Sequence, residues 1–123
     1  MTVIFGDDQR FMKDIYPGTV ASDASERDVK PTTVHFVSAN SPPDDLLYSS
    51  QHCDTVLISA PVSTFGWWIG YLSKGNRVFY LDVTTVPDSL YKSGKLKPDD
   101  FYLPKWTALK MSADNSTVIK SYS

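Results

Sequence analysis

Cysteine is nearly missing from this sequence. Cys53 is the only one in 123 residues, so the chain forms no internal disulfide and has no cysteine cluster to hold zinc. A long apolar run is missing too: no stretch approaches the ~18 apolar residues of a membrane span. Phe5 is followed at once by Gly6, Asp7 and Asp8, which leaves no apolar core for a signal peptide at the start. Charge of one sign is scarce. Twelve Lys and Arg stand against 14 Asp and Glu, a net charge of −2, which gives no electrostatic reason to expect nucleic acid or an anionic membrane as a partner. Neither a Walker loop nor a G-x-G-x-x-G is present, which disfavours a plain dinucleotide-binding oxidoreductase. There is no internal repeat and no low-complexity segment. What remains is a globular composition, 41% hydrophobic, in a chain long enough for one real core.

The chain is organised around residues 56–72. Val56-Leu57-Ile58 is a continuous apolar run, the mark of a strand covered on both faces. Pro61 has no N–H to donate and ends the ladder. Ser63 or Thr64 is the N-cap of a helix, which is apolar almost without interruption from Phe65 to Leu72 and is expected to be buried on most sides. Gly66 and Gly70 inside it suit close helix packing rather than a phosphate loop. Such a corner presents helix N–H groups and the positive end of the helix dipole above a strand, which makes an anion site, most often for phosphate. An ordinary helix cap accounts for the same residues.

The other elements follow in order. Residues 2–5 form a short strand, beginning so early that something upstream is expected to be missing. Asp7 or Asp8 caps a helix carrying Phe11, Met12 and Ile15, which Pro17-Gly18 ends. Residues 19–30 read as a polar loop and 33–37 as a second strand. Residues 38–43 are a loop, and Asp44 or Asp45 caps a helix running to about His52. Lys74-Gly75-Asn76 closes the central helix, and 77–81 is a fourth strand. Pro87-Asp88-Ser89 starts a short helix. Residues 101–106 are aromatic, broken by Pro104, and are expected to pack against the sheet. The tail beyond Lys110 is polar, with a short strand at 117–119. Alternation of strands and helices with short loops predicts an α/β fold, a parallel Rossmann-like sheet with flanking helices. Residues 1–110 make the α/β domain and 111–123 a polar tail.

In such sheets ligands collect at the carboxyl ends of the strands. Here those ends hold Asp7 and Asp8, residues 38–40, residues 59–64, and residues 82–84. Ser63 and Thr64 can bind phosphate oxygens through hydroxyl and backbone N–H. Asp45 can accept from a base edge or ribose, although helix capping is the simpler role. Asp7 and Asp8 read as a cap and a solvated charge, with a general base pair or a metal site as the alternative. His35 and His52 have no neighbouring acid at a triad or zinc spacing and read as structural. Trp67 and Trp68 can stack on a base or sugar, but a packed helix accounts for them as well. Asn115-Ser116-Thr117 is a glycosylation sequon, with meaning only in the secretory lumen. The residues alone point to half of a nucleotide-binding α/β unit with an anion site at Ser63 and Thr64.

The run from Ser63 to Leu72, S-T-F-G-W-W-I-G-Y-L, resembles the signature S-[ST]-F-[GS]-W-W-x-x-[WY]-L of α-1,2-fucosyltransferases, glycosyltransferase family 11. Phe5-Gly6-Asp7-Asp8 with Phe11 and Lys13 looks like the family's F-S-[DN]-D turn, with Gly6 in place of Ser. The segment from Asp45 to Cys53 is similar to its D-L-x-L-x-x-x-C helix, one residue longer. Pro87-Asp88-Ser89 and the segment from Phe101 to Trp106 resemble its P-D-S…F-L-P-x-W ending. These segments cover most of residues 3–109.

The resemblance implies the C-terminal donor-binding half of a GT-B glycosyltransferase and a GDP-fucose donor. Fucose passes with inversion to the 2-hydroxyl of a galactoside glycan acceptor, with no cofactor and no obligatory metal. It implies that Ser63, Thr64 and Phe65 border the β-phosphate, that Asp45 approaches the guanine end, and that Asp7 and Asp8 lie at the edge of the site. It implies a Golgi membrane or lumenal setting. The family's H-x-R-[RV]-x-D motif, whose arginine neutralises the departing diphosphate, occurs nowhere in these residues. No catalytic residue is therefore assigned. The chain alone is not expected to catalyse transfer, and a longer isoform is expected to supply the other half. A non-catalytic GDP-binding or structural remnant of the family is the alternative.

Overall fold

The computed structural model describes residues 1–15 and 34–121. The expected helix end at Pro17-Gly18, the polar loop at 19–30 and the start of the second strand at Thr33 lie outside them. The chain divides into two compact units, Met1–Ser41 and Pro42–Ser123.

In the first unit β1 (Thr2–Ile4) pairs in parallel with β2 (His35–Val37). Between them in sequence lies α1 (Gln9–Asp14). Asp8 starts that helix by accepting from the Phe11 amide at 2.9 Å, the capping role the sequence offered. Met12 is buried, whereas Phe11 and Ile15 are exposed. A Cβ at Gly6 would come within 2.9 Å of the Met12 sulfur, so a residue larger than Gly there must displace the end of that flexible side chain.

The second unit holds a four-stranded sheet in the order β3 (Thr55–Ile58), β4 (Arg77–Leu81), β5 (Thr107–Met111), β6 (Val118–Lys120). The pairs β3–β4 and β4–β5 are parallel and β5–β6 is antiparallel. The fold class is α/β with a parallel sheet. It differs from one continuous parallel sheet, because β1 and β2 form a sheet of their own and the last strand returns as a hairpin. That hairpin turns at Asn115, whose φ of 59° is left-handed, a conformation Asn tolerates better than most residues. The segment beyond residue 110 thus supplies an edge strand.

Helix α2 (Pro42–His52) packs against helix α3 (Thr64–Leu72), which rests on β3 and β4. Helix α2 begins at the two prolines rather than after them. Proline fits the first helical turn, where its missing N–H has no partner to lose, so Asp44 and Asp45 lie inside the first turns instead of capping from outside. Helix α3 lies against the face carrying Ile58 and Val78. A Cβ on Gly66 would sit 3.0 Å from Ile58 Cγ2, and one on Gly70 would sit 3.0 Å from Val78 Cγ1 and 3.3 Å from Ile58 Cδ1. These glycines set how closely helix meets sheet.

Both central elements are buried on one side only. In β3, Val56 and Ile58 are buried while Leu57 is 63% exposed. In α3, Ile69 and Gly70 are buried while Trp68 and Tyr71 are 48% and 46% exposed. Unbroken hydrophobicity had suggested cover on both faces. Here the helix uses one stripe, and its other rings lie on one another: Trp67 is stacked with Tyr71 at 5.1 Å and meets Trp68 edge-on at 5.0 Å. After α3 the left-handed residue is Asn76, φ 54°. Gly75 is required for space instead, since a Cβ there would fall 2.2 Å from the Asp54 carbonyl oxygen. Short helices α4 (Ser89–Lys92) and α5 (Pro98–Phe101) connect β4 to β5. Asp88 caps α4 through the Tyr91 amide at 2.8 Å.

Candidate functional site

The corner between β3 and α3 is built from the residues the sequence singled out. The loop after Ile58 turns on a hydrogen bond from the Ser63 amide to the Ala60 carbonyl, 3.0 Å. Ser63 is the N-cap, with extended backbone, and its hydroxyl oxygen accepts from the Gly66 amide at 3.0 Å. The Trp67 amide donates to the Ser63 carbonyl. Of the four N–H groups that a helix leaves without internal partners, the cap takes one. The amides of Thr64 and Phe65 sit at the first two helical positions, aimed out of the end of α3 where its dipole is positive. Thr64 is exposed, and Ser63 and Phe65 are half-buried. The Ser63 hydroxyl still has its own proton to donate. The Thr64 and Phe65 amides and the Ser63 and Thr64 hydroxyls therefore lie together at the N-terminus of α3.

Asp45 belongs to the same unit. Helices α2 and α3 run side by side in the same direction. Ser49 donates to the Ile69 carbonyl at 2.8 Å, and further along the Gly75 amide donates to the Cys53 carbonyl at 3.0 Å. Asp45 lies one turn before Ser49, as Phe65 lies one turn before Ile69, so both occupy the N-terminal ends of neighbouring helices. Asp45 is buried, 3% exposed. Asp7 and Asp8 are exposed and lie in the first unit.

A second set of polar groups closes the carboxyl end of β4, at residues 82–84, which the sequence placed at a strand end without their distant partners. Asp82 accepts from the Thr84 amide at 2.9 Å, from the Thr84 hydroxyl at 2.7 Å, and from the Ser121 hydroxyl. Burial pushes the Asp82 carboxyl up. The bonds from Ser121 and Thr84, aided by the charge of Lys110, outweigh this and hold it below the usual carboxylate range. Ser121 lies 39 residues away in sequence, and no local pattern announces such a partner. Tyr80 stacks face to face on Tyr102, 3.9 Å between ring centres and 7° between planes. The Tyr102 hydroxyl donates to the Pro61 carbonyl at 2.5 Å. Burial, with the neighbouring Tyr80, Asp88 and Asp82, pushes the Tyr102 phenol far up, so it stays protonated at neutral pH.

Cys53 is half-buried, and burial raises its thiol despite a hydrogen bond with Ser49, which makes it a poor nucleophile. Among the described residues no group of three His, Cys, Asp or Glu side chains gathers to hold a metal ion. No helix among them is long and apolar enough to cross a membrane. A broad open depression of about 700 Å³ lies over Tyr91, Leu96, Pro98 and Asp99. It shares no residue with the α3 corner, and its lining offers neither a helix N-terminus of useful length nor a buried polar group aimed into it.

Comparison with known proteins bears on this corner. The family model described as Glycosyl transferase family 11 matches residues 25–110, which include all of α2, β3, α3 and β4. The chain is 48% identical over 120 residues to a Caenorhabditis elegans protein provisionally named galactoside 2-alpha-L-fucosyltransferase svh-11. That match takes in 97% of this chain and 32% of the relative. It is 47% identical over 77 residues, 62% of this chain and 21% of the relative, to a galactoside 2-alpha-L-fucosyltransferase of the same species. It is 35% identical over 80 residues, 65% of this chain and 21% of the relative, to galactoside alpha-(1,2)-fucosyltransferase 2 of Gorilla gorilla gorilla. The chain thus spans about a third of the length of the curated relatives that it matches over nearly all of its own residues. No solved structure matches it.

Proposed function

Because this chain belongs to glycosyl transferase family 11, we propose that its α3 corner binds the diphosphate of GDP-fucose, as part of a galactoside α-1,2-fucosyltransferase. The observation that carries the reading is the start of α3 itself, where Ser63 caps the helix through the Gly66 amide and leaves the Thr64 and Phe65 amides at its open N-terminus beside the Ser63 and Thr64 hydroxyls. The leaving group in fucosyl transfer is GDP, whose charge grows as the bond to fucose breaks. Fixed donors aimed at that charge stabilise it without having to reorganise, and the α3 dipole adds to them. The sheet and its helices then serve as the donor-binding, GT-B-like half of the enzyme. Asp45, at the neighbouring helix end, is assigned to the guanine side.

The donor's partner in the reaction is a galactoside whose 2-hydroxyl attacks the anomeric carbon of fucose on the face opposite GDP. Inversion follows from that single displacement. The 123 residues contain no arginine motif of the H-x-R-[RV]-x-D type, so the part assigned to them is donor binding, and transfer belongs to the protein together with such a motif. A Golgi lumenal setting goes with that activity.

A titration of the 15N-labelled chain with GDP tests the site. The Thr64 and Phe65 amide resonances are expected to move most, with saturation, and UDP is expected to move them less. Shifts confined to the depression over Tyr91 and Pro98 would place the nucleotide elsewhere and defeat the proposal.

A further inference from the structure

We propose that Tyr102 is a positioning residue for the donor site, its hydroxyl holding the loop that aims the Thr64 and Phe65 amides. The inference rests on the donor-site reading and adds to it a residue outside the corner itself. The loop of residues 59–63 joins β3 to α3 and carries the N-cap. Its Pro61 has no N–H to donate, so the carbonyl is the one backbone polar group by which that residue can be held. The Tyr102 hydroxyl donates to it at 2.5 Å. The phenol is itself fixed, because its ring lies flat on Tyr80 at 3.9 Å and Tyr80 is the β4 partner of Ile58, the last residue of β3. Tyr102 therefore references the loop to the sheet that the loop has just left.

The neighbouring residue ties the other side of the same corner. The Trp67 indole N–H donates to the Phe101 carbonyl at 2.7 Å, and Trp67 lies in the first turn of α3. Residues 101 and 102 thus bond to the chain on both sides of the helix start, before the cap at Pro61 and after it at Trp67. A ligand held by backbone amides has no side-chain adjustment to absorb a misplaced loop, and small errors of placement are costly in such sites.

Tyr102→Phe keeps the stacked ring and removes only the hydroxyl. Calorimetric titration with GDP is the readout, made well below the melting temperature, with circular dichroism to show the native fold. Loss of the bond is expected to weaken GDP binding about tenfold, the scale of one well-made hydrogen bond. Amide exchange across Val62 to Phe65 is expected to quicken. Ser121→Ala removes a bond to Asp82 without touching the loop, and its GDP affinity is expected to stay within about twofold of wild type by the same scale. Trp67→Phe probes the corner's other tie and is expected to weaken GDP in the same direction, which keeps the test open should Tyr102→Phe not fold. An unchanged affinity in either corner variant, or an equal loss in Ser121→Ala, overturns the positioning role and leaves the donor site standing. If folded wild-type protein binds no GDP, the donor-site reading falls and the role of Tyr102 falls with it.

Discussion

Ser63 and Thr64 are adjacent hydroxyls with different work. Ser63 closes the helix, so Ser63→Ala is expected to lower stability by about 1 kcal/mol, as loss of a side-chain N-cap does. Chemical denaturation measures it. Thr64 is exposed at the first helical position and caps nothing, so Thr64→Ala is expected to leave stability within about 0.5 kcal/mol. The same change is expected to weaken GDP binding about tenfold, as loss of one charge-assisted hydrogen bond does. Equal GDP affinity in wild type and Thr64→Ala would remove Thr64 from the site. Asp82 makes the pH prediction. Its folded carboxyl lies below its unfolded value, so its contribution is present above the ordinary carboxylate range and is lost as pH falls through the lower folded value. The stability gap between wild type and Asp82→Asn is expected to be constant from about pH 5 to 8 and to narrow below about pH 4. A gap that widens on acidification would contradict the assigned hydrogen bonds.

Helix α3 on its sheet is where single atoms matter at the scale of an element. Alanine gains about 1 kcal/mol of helix propensity over glycine, so the sign of a Gly→Ala change depends on the space available. Gly70 is buried, and its Cβ would meet two methyls of Val78 and one of Ile58 within 3.3 Å. Gly70→Ala is expected to destabilise by about 1–2 kcal/mol net, whereas Gly66→Ala, tight against Ile58 Cγ2 alone, is expected to be closer to neutral. Thermal melts of the two variants order them, and a Gly70→Ala protein more stable than Gly66→Ala would show that the helix floats free of the sheet.

Strands β3 and β4, helix α3 with its Ser63 cap, and the Asp8 cap were legible because each is local: an apolar run, a hydroxyl and a glycine at short spacing. Strand β5 was not legible. Thr107-Ala108-Leu109-Lys110-Met111 is a weak strand pattern, and it becomes a strand by pairing with Phe79 to Leu81. The start of α2 was missed because two prolines read as loop, although they suit a first turn. Ser63, Thr64 and Phe65 could be found from the sequence, being contiguous. Tyr102, which holds their loop, lies 41 residues from Pro61, and Ser121, the partner of Asp82 at the neighbouring strand end, lies 39 residues from it; only the fold brings such pairs together.

At the scale of the molecule, the second unit carries the whole argument for nucleotide binding: a parallel core of three strands, α3 on its face with α2 packed beside α3, and a helix N-terminus open at the carboxyl edge. Wild-type chain titrated calorimetrically with GDP and GDP-fucose, with UDP as the control nucleotide and circular dichroism to show the fold, tests that claim most directly. Saturable binding of both guanine nucleotides, weaker for UDP and weakened about tenfold by Thr64→Ala, is the predicted result. A folded chain that binds neither GDP nor GDP-fucose would contradict it.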